Sequence, residues 1–298
     1  MSQIPDEIVR GLCREGRARI LTCTTTGLVN ELQRRHQSWP VATAALGRTA
    51  SIAAMMGAML KGNDRLTLQI QGDGPLGSIL VDADAQGHVR GYVKNPHVHL
   101  PSNAQGKLNV GGGVGAGMLY VIRDYGLKEL YRGSVELQTG EIAEDFTYYF
   151  SVSEQTPSAV GAGVLVETDN RAVAAGGFIL QLLPGHTEED IAAVEEQLAK
   201  LSSLTDFLKT GATAAELLWY LAPDAYGLTA SPVEFRCSCS RERLGSVLAG
   251  LGVAELESMI EEQGQAELVC RFCNEAYQFD REDLEQLLAD VKTKSIDG

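Results

Sequence analysis

Two short stretches near the C-terminus, Arg236-Cys237-Ser238-Cys239-Ser240-Arg241 and Cys270-Arg271-Phe272-Cys273, hold four of the six cysteines in the chain. The two cysteine pairs are separated by 30 residues. Structural zinc sites take four thiolates in a tetrahedron, and close cysteine pairs on either side of a short insert are typical of them. The pattern therefore predicts one zinc ion bound by Cys237, Cys239, Cys270 and Cys273. The alternative, four unrelated buried thiols, leaves their clustering unexplained.

The predicted zinc site has a closed coordination shell. Four cysteine ligands leave no position for a water molecule or a substrate, so the pattern disfavours metal-assisted hydrolysis. Four thiolates and one zinc ion carry a formal charge of −2. Arginines next to the ligands, Arg236, Arg241, Arg243 and Arg271, could offset this charge and keep the thiolates deprotonated. A solvated arginine face is an equally good interpretation, and the sequence leaves both open.

A comparison of free energies indicates that the zinc ion holds the C-terminal module together. A module of about 65 residues gains only about 3–5 kcal/mol from its core. Structural zinc contributes about 10–16 kcal/mol in small domains. Loss of the metal should therefore unfold the module.

Oxidation should have the same consequence as loss of the metal. Cysteines two or three residues apart can approach to disulfide distance, but such bonds close small loops and constrain the unfolded chain little. Zinc links segments 30 residues apart, and local disulfides would not replace that link. The chemistry therefore supports a reversible switch between order and disorder.

The first 183 residues have the pattern of an α+β domain with a largely antiparallel sheet. Helices are expected at 28–37, 41–60 and within 139–151. Strands are expected at 17–26, 66–71, 78–83, 88–93, 118–123, 134–137, 160–167 and 172–182. The fold class predicted for the whole chain is α+β: this N-terminal domain at 1–183, a helical linker at 184–232 and a zinc-binding redox-switch domain at 233–298.

The linker begins after Leu183-Pro184-Gly185. Thr187 and Asp190 have the spacing of a helix N-terminal capping pair. The apolar residues that follow share one helical face: Ile191, Val194, Leu198 and Leu201. If this face covers apolar sheet surface, the linker acts as a lid. The last part of the linker, 222–232, is rich in helix breakers and is expected to be a loop.

Composition and charge exclude several classes of protein. Hydrophobic residues make up 44% and charged residues 21% of the chain, which is typical of a folded globular protein. The net charge of −14 disfavours binding to nucleic acid or to anionic membranes. Segment 41–60 carries Arg48 and is expected to be a buried helix instead of a membrane span. The N-terminus lacks the pattern of a secretory signal, so a reducing, cytoplasmic location is expected.

Two further features receive no functional role. The run Gly111-Gly112-Gly113-Val114-Gly115-Ala116-Gly117 invites comparison with a nucleotide-binding loop. Such a loop should open a helix, whereas the residues that follow have a strand pattern. We therefore expect a flexible connection in the sheet. Cys13 and Cys23 lack ligand spacing and are expected to be buried or incidental thiols.

With these residues taken together, the sequence resembles the heat shock protein 33 family of redox-regulated chaperones. The cysteine segments resemble the zinc knuckles of that family, and Tyr277 and Phe279 follow as expected. Further matches lie upstream, at Gly72-Asp73-Gly74-Pro75-Leu76-Gly77, Arg90-Gly91-Tyr92-Val93, Asn95-Pro96, Gly140-Glu141-Ile142-Ala143-Glu144-Asp145 and Gln181-Leu182-Leu183-Pro184-Gly185. The resemblance covers essentially the whole chain.

The resemblance implies a stress-response holdase without enzymatic activity. In the reduced form the chaperone binds zinc and is inactive. Oxidative stress forms two disulfides, Cys237–Cys239 and Cys270–Cys273, releases zinc and unfolds the C-terminal domain and the linker. The active form, a homodimer, holds unfolding client proteins without ATP, and the N-terminal domain provides client binding and dimerisation.

Two other hypotheses remain. In one, the zinc module is a fixed interaction element of an enzyme or regulator. In the other, Cys270 and Cys273 serve a thiol–disulfide oxidoreductase, although their CxxC motif does not open a helix after a strand.

Overall fold

The structure is a computed structural model in which residues 4–296 are described. It divides into two compact units, one ending at Arg236 and one beginning at Cys237. The predicted boundaries after residues 183 and 232 divide the chain into three parts instead of two, and they stay a prediction. Among the described residues, no helix combines the length and apolar character needed to cross a membrane. The predicted α+β class is confirmed, with sheets and helices in both units.

The described part of the N-terminal unit, from residue 4 onwards, contains two sheets. The first has the strand order β10-β1-β2-β9-β8, and its neighbouring strands are all antiparallel. Its strands are β1 (Glu7–Cys13), β2 (Ala18–Thr24), β8 (Ser158–Val166), β9 (Ala172–Leu182) and β10 (Tyr226–Pro232). The second sheet has the order β11-β5-β4-β3-β6-β7. Its strands are β3 (Arg65–Gly72), β4 (Ser78–Asp84), β5 (His88–Val93), β6 (Gly117–Asp124), β7 (Tyr131–Glu136) and β11 (Glu234–Phe235).

Helix α2 (Pro40–Gly57) packs against strands of both sheets. Its sequence is apolar or small on every side, which is the pattern of a helix buried all round. The arginine in this helix, Arg48, pairs with Glu141 at 2.6 Å, so its charge is balanced inside the fold. Helices α1 (Thr26–His36) and α4 (Ala143–Val152) complete the large core between the sheets. The helices expected at 41–60 and within 139–151 agree with these elements.

The linker helices are α5 (Glu188–Ala199), α6 (Leu204–Lys209) and α7 (Ala214–Leu221). Each begins at a hydroxyl-bearing cap: Thr187, Ser203 or Thr213. Thr187 and Asp190 form the expected capping box. The Asp190 carboxylate also accepts two hydrogen bonds from Arg17, at 2.7 and 3.1 Å. Arg17 holds the pKa of Asp190 well below its usual range.

Two expectations for local structure were wrong. The breaker-rich segment 222–232 is not only a loop, because β10 pairs along the edge of the first sheet with β1. The glycine-rich run is not an irregular connection throughout, because it contains the short helix α3 (Val110–Val114). The N–H groups of Gly74 and Leu76 donate to carbonyls of this run at 2.9 and 3.0 Å. A side chain at Gly72 would collide with the Val114 carbonyl, so close backbone packing explains that glycine.

As far as residue 296, the C-terminal unit is a helical subdomain with one hairpin. Its elements are α8 (Arg241–Ala249), α9 (Val253–Glu262), β12 (Ala266–Val269), β13 (Ala276–Phe279) and α10 (Arg281–Ile296). Its buried apolar core is small: Leu248, Leu256, Ile260, Phe279 and Leu284. Core packing alone therefore gives this unit little stability.

Candidate metal centre

The first cysteine pair lies directly before helix α8. Ser240 is the N-cap of that helix, and its side chain accepts a hydrogen bond from the Arg243 backbone N–H at 3.2 Å. An N-cap serine fixes the direction in which the chain enters a helix. The cap therefore sets the backbone path immediately after Cys239.

The second pair lies in the turn of the β12–β13 hairpin, whose last paired residues are Val269 and Ala276. The Cys270 N–H donates to the Glu275 carbonyl at 2.9 Å, and the Asn274 N–H donates to the Cys270 carbonyl at 2.7 Å. Asn274 has a φ of 58°, in the left-handed region that asparagine tolerates better than most residues. The sequence therefore supplies a residue suited to the tight turn that brings Cys270 and Cys273 together.

The four cysteine sulfurs meet in one cluster, where they all lie within 4.8 Å of one another. The Cys237 and Cys270 sulfurs are 3.8 Å apart, and the Cys239 and Cys273 sulfurs are 3.3 Å apart. A tetrahedral zinc site with bonds of about 2.3 Å has sulfur–sulfur distances of about 3.8 Å. All four are free thiols. The cluster could therefore hold a metal ion.

The electrostatics of the cluster favour a cation. Burial is the main cause that raises the pKa values of the Cys239 and Cys273 thiols, and neighbouring cysteines raise that of Cys273 further. The backbone N–H of Glu275 acts in the opposite direction on Cys273. Thiolates this close repel one another unless a cation lies between them. Sulfur ligands suit zinc and do not suit magnesium or calcium, so the donor set fits zinc.

Tyr277 is a residue of the site that spacing arguments missed. Its hydroxyl lies 3.3 Å from the Cys239 sulfur. This hydrogen bond is the first cause that raises the pKa of Tyr277 above its usual value, and burial adds to it. A tyrosine O–H that donates to a ligand sulfur orients the ligand and supports its thiolate form. In the sequence, Tyr277 appeared only as part of the family resemblance, because nothing in its spacing marks it as a neighbour of Cys239.

The arginines near the cysteines have several different partners. Arg241 donates to the Gln278 carbonyl and pairs with Asp283, whose pKa it lowers. Its guanidinium also lies 4.7 Å from the centre of the Phe279 ring. These contacts tie the start of α8 to β13 and α10. The role of Arg241 in offsetting the thiolate charge stays a prediction.

The other three arginines differ from one another. Arg243 donates to the hydroxyl of Ser238, the residue between Cys237 and Cys239, at 3.4 Å. Arg236 lies in the N-terminal unit, where its Nη1 is 3.0 Å from His88 Nε2. Arg271 is exposed. A charge-balancing role for Arg236 and Arg271 likewise stays a prediction.

Comparison with known proteins decides the family. The model of the family described as Hsp33 protein matches residues 6–280. This chain belongs to the Hsp33 family. A 33 kDa chaperonin from Desulforamulus reducens is 51% identical over 291 residues, which cover 97% of this chain and 99% of the relative. A 33 kDa chaperonin from Bacillus subtilis is 50% identical over 284 residues, which cover 95% of this chain and 98% of the relative.

A solved structure supports the same assignment. The crystal structure of the 33 kDa chaperonin (heat shock protein 33 homolog) from Thermotoga maritima superposes with a TM-score of 0.90 at 36% sequence identity. The superposition covers 98% of this chain and 99% of the Thermotoga chain. The resemblance inferred from the sequence is therefore confirmed. The Hsp33 relatives are named chaperonins, a non-enzymatic class of proteins that bind client proteins.

Proposed function

We propose that this chain is a redox-regulated, ATP-independent holdase of the cytoplasm that binds unfolding proteins under oxidative stress. In the reduced form, Cys237, Cys239, Cys270 and Cys273 hold one zinc ion and the chaperone is inactive. Oxidation converts these thiols to the Cys237–Cys239 and Cys270–Cys273 disulfides and releases zinc. The C-terminal unit and the linker then unfold, and the activated chain binds clients as a homodimer.

One observation carries this proposal: four free thiols cluster within 4.8 Å in a unit with a small core. Such a unit depends on its metal cross-link more than on its packing. Oxidation of the thiols removes the ligands, because zinc binds thiolates and not disulfides. A redox signal is therefore converted into loss of structure.

The linker helices cover one face of the first sheet, which supports their role as a lid. Apolar side chains of α5, α6 and α7 pack on side chains of β1, β2 and β9 in a cluster separate from the large core. The expected stripe at Ile191, Val194, Leu198 and Leu201 belongs to this cluster. From the linker, the buried members are Val194, Leu208, Ala212, Ala214, Leu217, Leu218, Leu221, Ala222 and Ala225. We propose that the sheet face beneath them binds clients.

The lid depends on this packing for its helical structure. The three helices have 12, 6 and 8 residues, and isolated helices this short are marginal or unstable in water. A buried hydrogen bond of 2.7 Å from the Thr22 hydroxyl to the Ala214 carbonyl ties α7 to β2. The Arg17–Asp190 pair ties α5 to the start of β2. A linker that leaves the sheet should therefore unfold and expose an apolar surface.

Zinc content and holdase activity should change together. On treatment of the reduced, zinc-loaded protein with peroxide, we expect release of one zinc ion per chain and the appearance of aggregation suppression for a thermally unfolding client. Zinc release is measured with a chromogenic chelator and suppression by light scattering, without ATP, and peptide mapping identifies the disulfides. Reduction with dithiothreitol and added zinc should reverse both changes. Retention of zinc after peroxide, or equal suppression by the reduced form, would contradict the proposal and favour a fixed zinc element.

Cys13 and Cys23 provide an internal test of the lid. Both are buried in the reduced form, but Cys13 belongs to the cluster under the linker and Cys23 to the large core. Burial raises the pKa of the Cys13 thiol to about 11, which slows its reaction with alkylating reagents. After oxidation we expect Cys13 to react with iodoacetamide at least about tenfold faster than before, because solvent reaches it and its pKa falls towards about 8.5.

Cys23 is the matched control in the same molecules, and its reactivity should stay low. Mass spectrometry of the two peptides measures both rates. Equal acceleration at Cys13 and Cys23 would indicate global unfolding instead of lid release, and no acceleration at Cys13 would show that the lid stays closed.

A further inference from the structure

A cleft of about 370 Å³ lies on the first sheet, on the face opposite the linker helices, where β10, β1 and β2 meet the end of α2. Arg10, Arg19 and Thr229 provide its polar lining, and Leu12, Leu21 and Met59 provide apolar lining. None of the residues that line the cleft is acidic. In a chain with a net charge of −14, a cleft that contains two arginines and no carboxylate requires an explanation.

The register of the sheet brings the two arginines together. Arg10 pairs across the strands with Leu21, and Leu12 pairs with Arg19. Arg10 and Arg19 are therefore diagonal neighbours on one face of the sheet. Residues in this arrangement are about 7–8 Å apart, so two long side chains can reach the same point between them. The β1–β10 register shifts between Arg10 and Leu12, and an irregularity of this kind disrupts the ladder locally and is common beside binding sites.

Both guanidinium groups are held in place and keep donors to spare. Arg10 donates through Nε to the Thr229 hydroxyl at 2.9 Å and through Nη1 to the Ala58 carbonyl at 2.8 Å. Arg19 donates through Nε to Gln181 Oε1 at 2.8 Å. Within residues 4–296, neither Arg19 Nη1, Arg19 Nη2 nor Arg10 Nη2 has a hydrogen-bond partner. Anchored arginines with unused donors are suited to bind an oxyanion.

The charges around Arg19 leave a positive excess. Burial lowers the pKa of Arg19, and the charge of Arg123 lowers it further. Glu154 opposes both effects, but its carboxylate already pairs with Arg123. A half-buried guanidinium without its own counter-ion is costly, and a bound anion would remove that cost.

We propose that this cleft binds a compact oxyanion, the phosphate group of a small metabolite or free phosphate, between Arg10 and Arg19. The apolar residues Leu12, Leu21 and Met59 leave room for a small organic group attached to the phosphate. The proposed site lies in the N-terminal unit and involves none of the cysteines.

Calorimetric titration of the full-length, reduced, zinc-loaded protein tests the site. Inorganic phosphate and glycerol 3-phosphate are the two probes, at constant ionic strength in a phosphate-free buffer. We expect one saturable site per chain. Arg19→Gln should weaken binding at least about tenfold, since it removes charge-assisted hydrogen bonds. Tighter binding of glycerol 3-phosphate would identify the ligand as an organic phosphate, and equal binding would identify the inorganic anion.

Arg65→Gln is the matched control, because Arg65 is exposed on β3 in the second sheet. A second measurement avoids any folding defect of the variant. In the wild-type protein, phosphate should protect Arg10 and Arg19, but not Arg65, from modification by phenylglyoxal. The proposal is overturned if neither probe saturates, if Arg65→Gln weakens binding as much as Arg19→Gln, or if Arg19 is not protected.

Discussion

Replacing Cys270 with serine is expected to unfold the C-terminal unit while the N-terminal unit stays folded. Cys270 is buried, and its sulfur lies 3.8 Å from that of Cys237. The substitution removes one of four ligands, and structural zinc contributes about 10–16 kcal/mol in small domains. The core of the unit offers about 3–5 kcal/mol, which does not compensate for that loss. We therefore expect nearly complete unfolding from Cys237 to the end of the described chain.

Hydrogen exchange measures this effect region by region. Amides of α8, α9 and α10 should exchange at rates close to those of an unfolded chain, whereas β3, β4 and β6 should remain protected. Extraction of zinc from the wild-type protein by a chelator should give the same pattern. Cys13→Ser is the same chemical change at a cysteine outside the four-cysteine cluster. This variant should retain one zinc ion per chain and full protection of the C-terminal unit. Persistent protection of α8 and α10 in Cys270→Ser would mean that packing alone holds the unit together.

The pairing of the cysteines after oxidation does not follow from the reduced geometry. All four sulfurs lie within 4.8 Å of one another, and the pairs Cys237 with Cys270 and Cys239 with Cys273 join the two distant segments. Disulfides between these partners would preserve the cross-link that zinc provides, and the unit could stay folded. The proposed pairs, Cys237–Cys239 and Cys270–Cys273, abolish it. The proposed switch therefore requires pairing within each segment.

Much of the fold and the cysteine cluster could be predicted because local patterns specify them. The strands with alternating apolar residues and the uniformly apolar helix α2 lie close to their predicted positions. The cysteine pairs predicted the cluster because two close pairs on either side of a short insert are typical of tetrahedral zinc sites. The cap at Thr187 and the stripe that starts at Ile191 located helix α5 and its packed apolar face.

The features that could not be predicted depend on partners distant in the sequence. Strand β10 contains breakers and becomes a strand only because the edge of β1 offers hydrogen bonds to it. The two-residue strand β11 exists through parallel pairing with β5, and Arg35 stacks over its Phe235 at 4.3 Å. Tyr277 reaches Cys239 only after the β12–β13 hairpin has formed. Tertiary contacts override local propensity at each of these positions.

Replacing Leu217 with aspartate is expected to activate the chaperone without oxidation. Leu217 is fully buried on α7, in the cluster between the linker and the first sheet. Loss of a buried leucine side chain costs about 2–5 kcal/mol, and a buried, unpaired carboxylate adds to that cost. If the substitution destabilises the form with the linker closed on the sheet and not the open form, the ratio of open to closed chains rises by roughly 30- to 5,000-fold.

The decisive measurement is aggregation suppression by the reduced variant, with its zinc content determined in the same sample. We expect suppression by Leu217→Asp while one zinc ion per chain remains bound, because the substitution displaces the lid without touching the cysteines. Trp219→Asp introduces the same charge on the same helix at a position that is 45% exposed, and this variant should stay inactive until it is oxidised. Hydrogen exchange should find the linker of reduced Leu217→Asp unfolded and β3 still protected. If such a protein does not suppress aggregation, clients bind somewhere other than the covered sheet face. Activity in both aspartate variants would instead attribute the activation to added charge. The pair of variants therefore distinguishes exposure of the covered sheet face from every other consequence of oxidation.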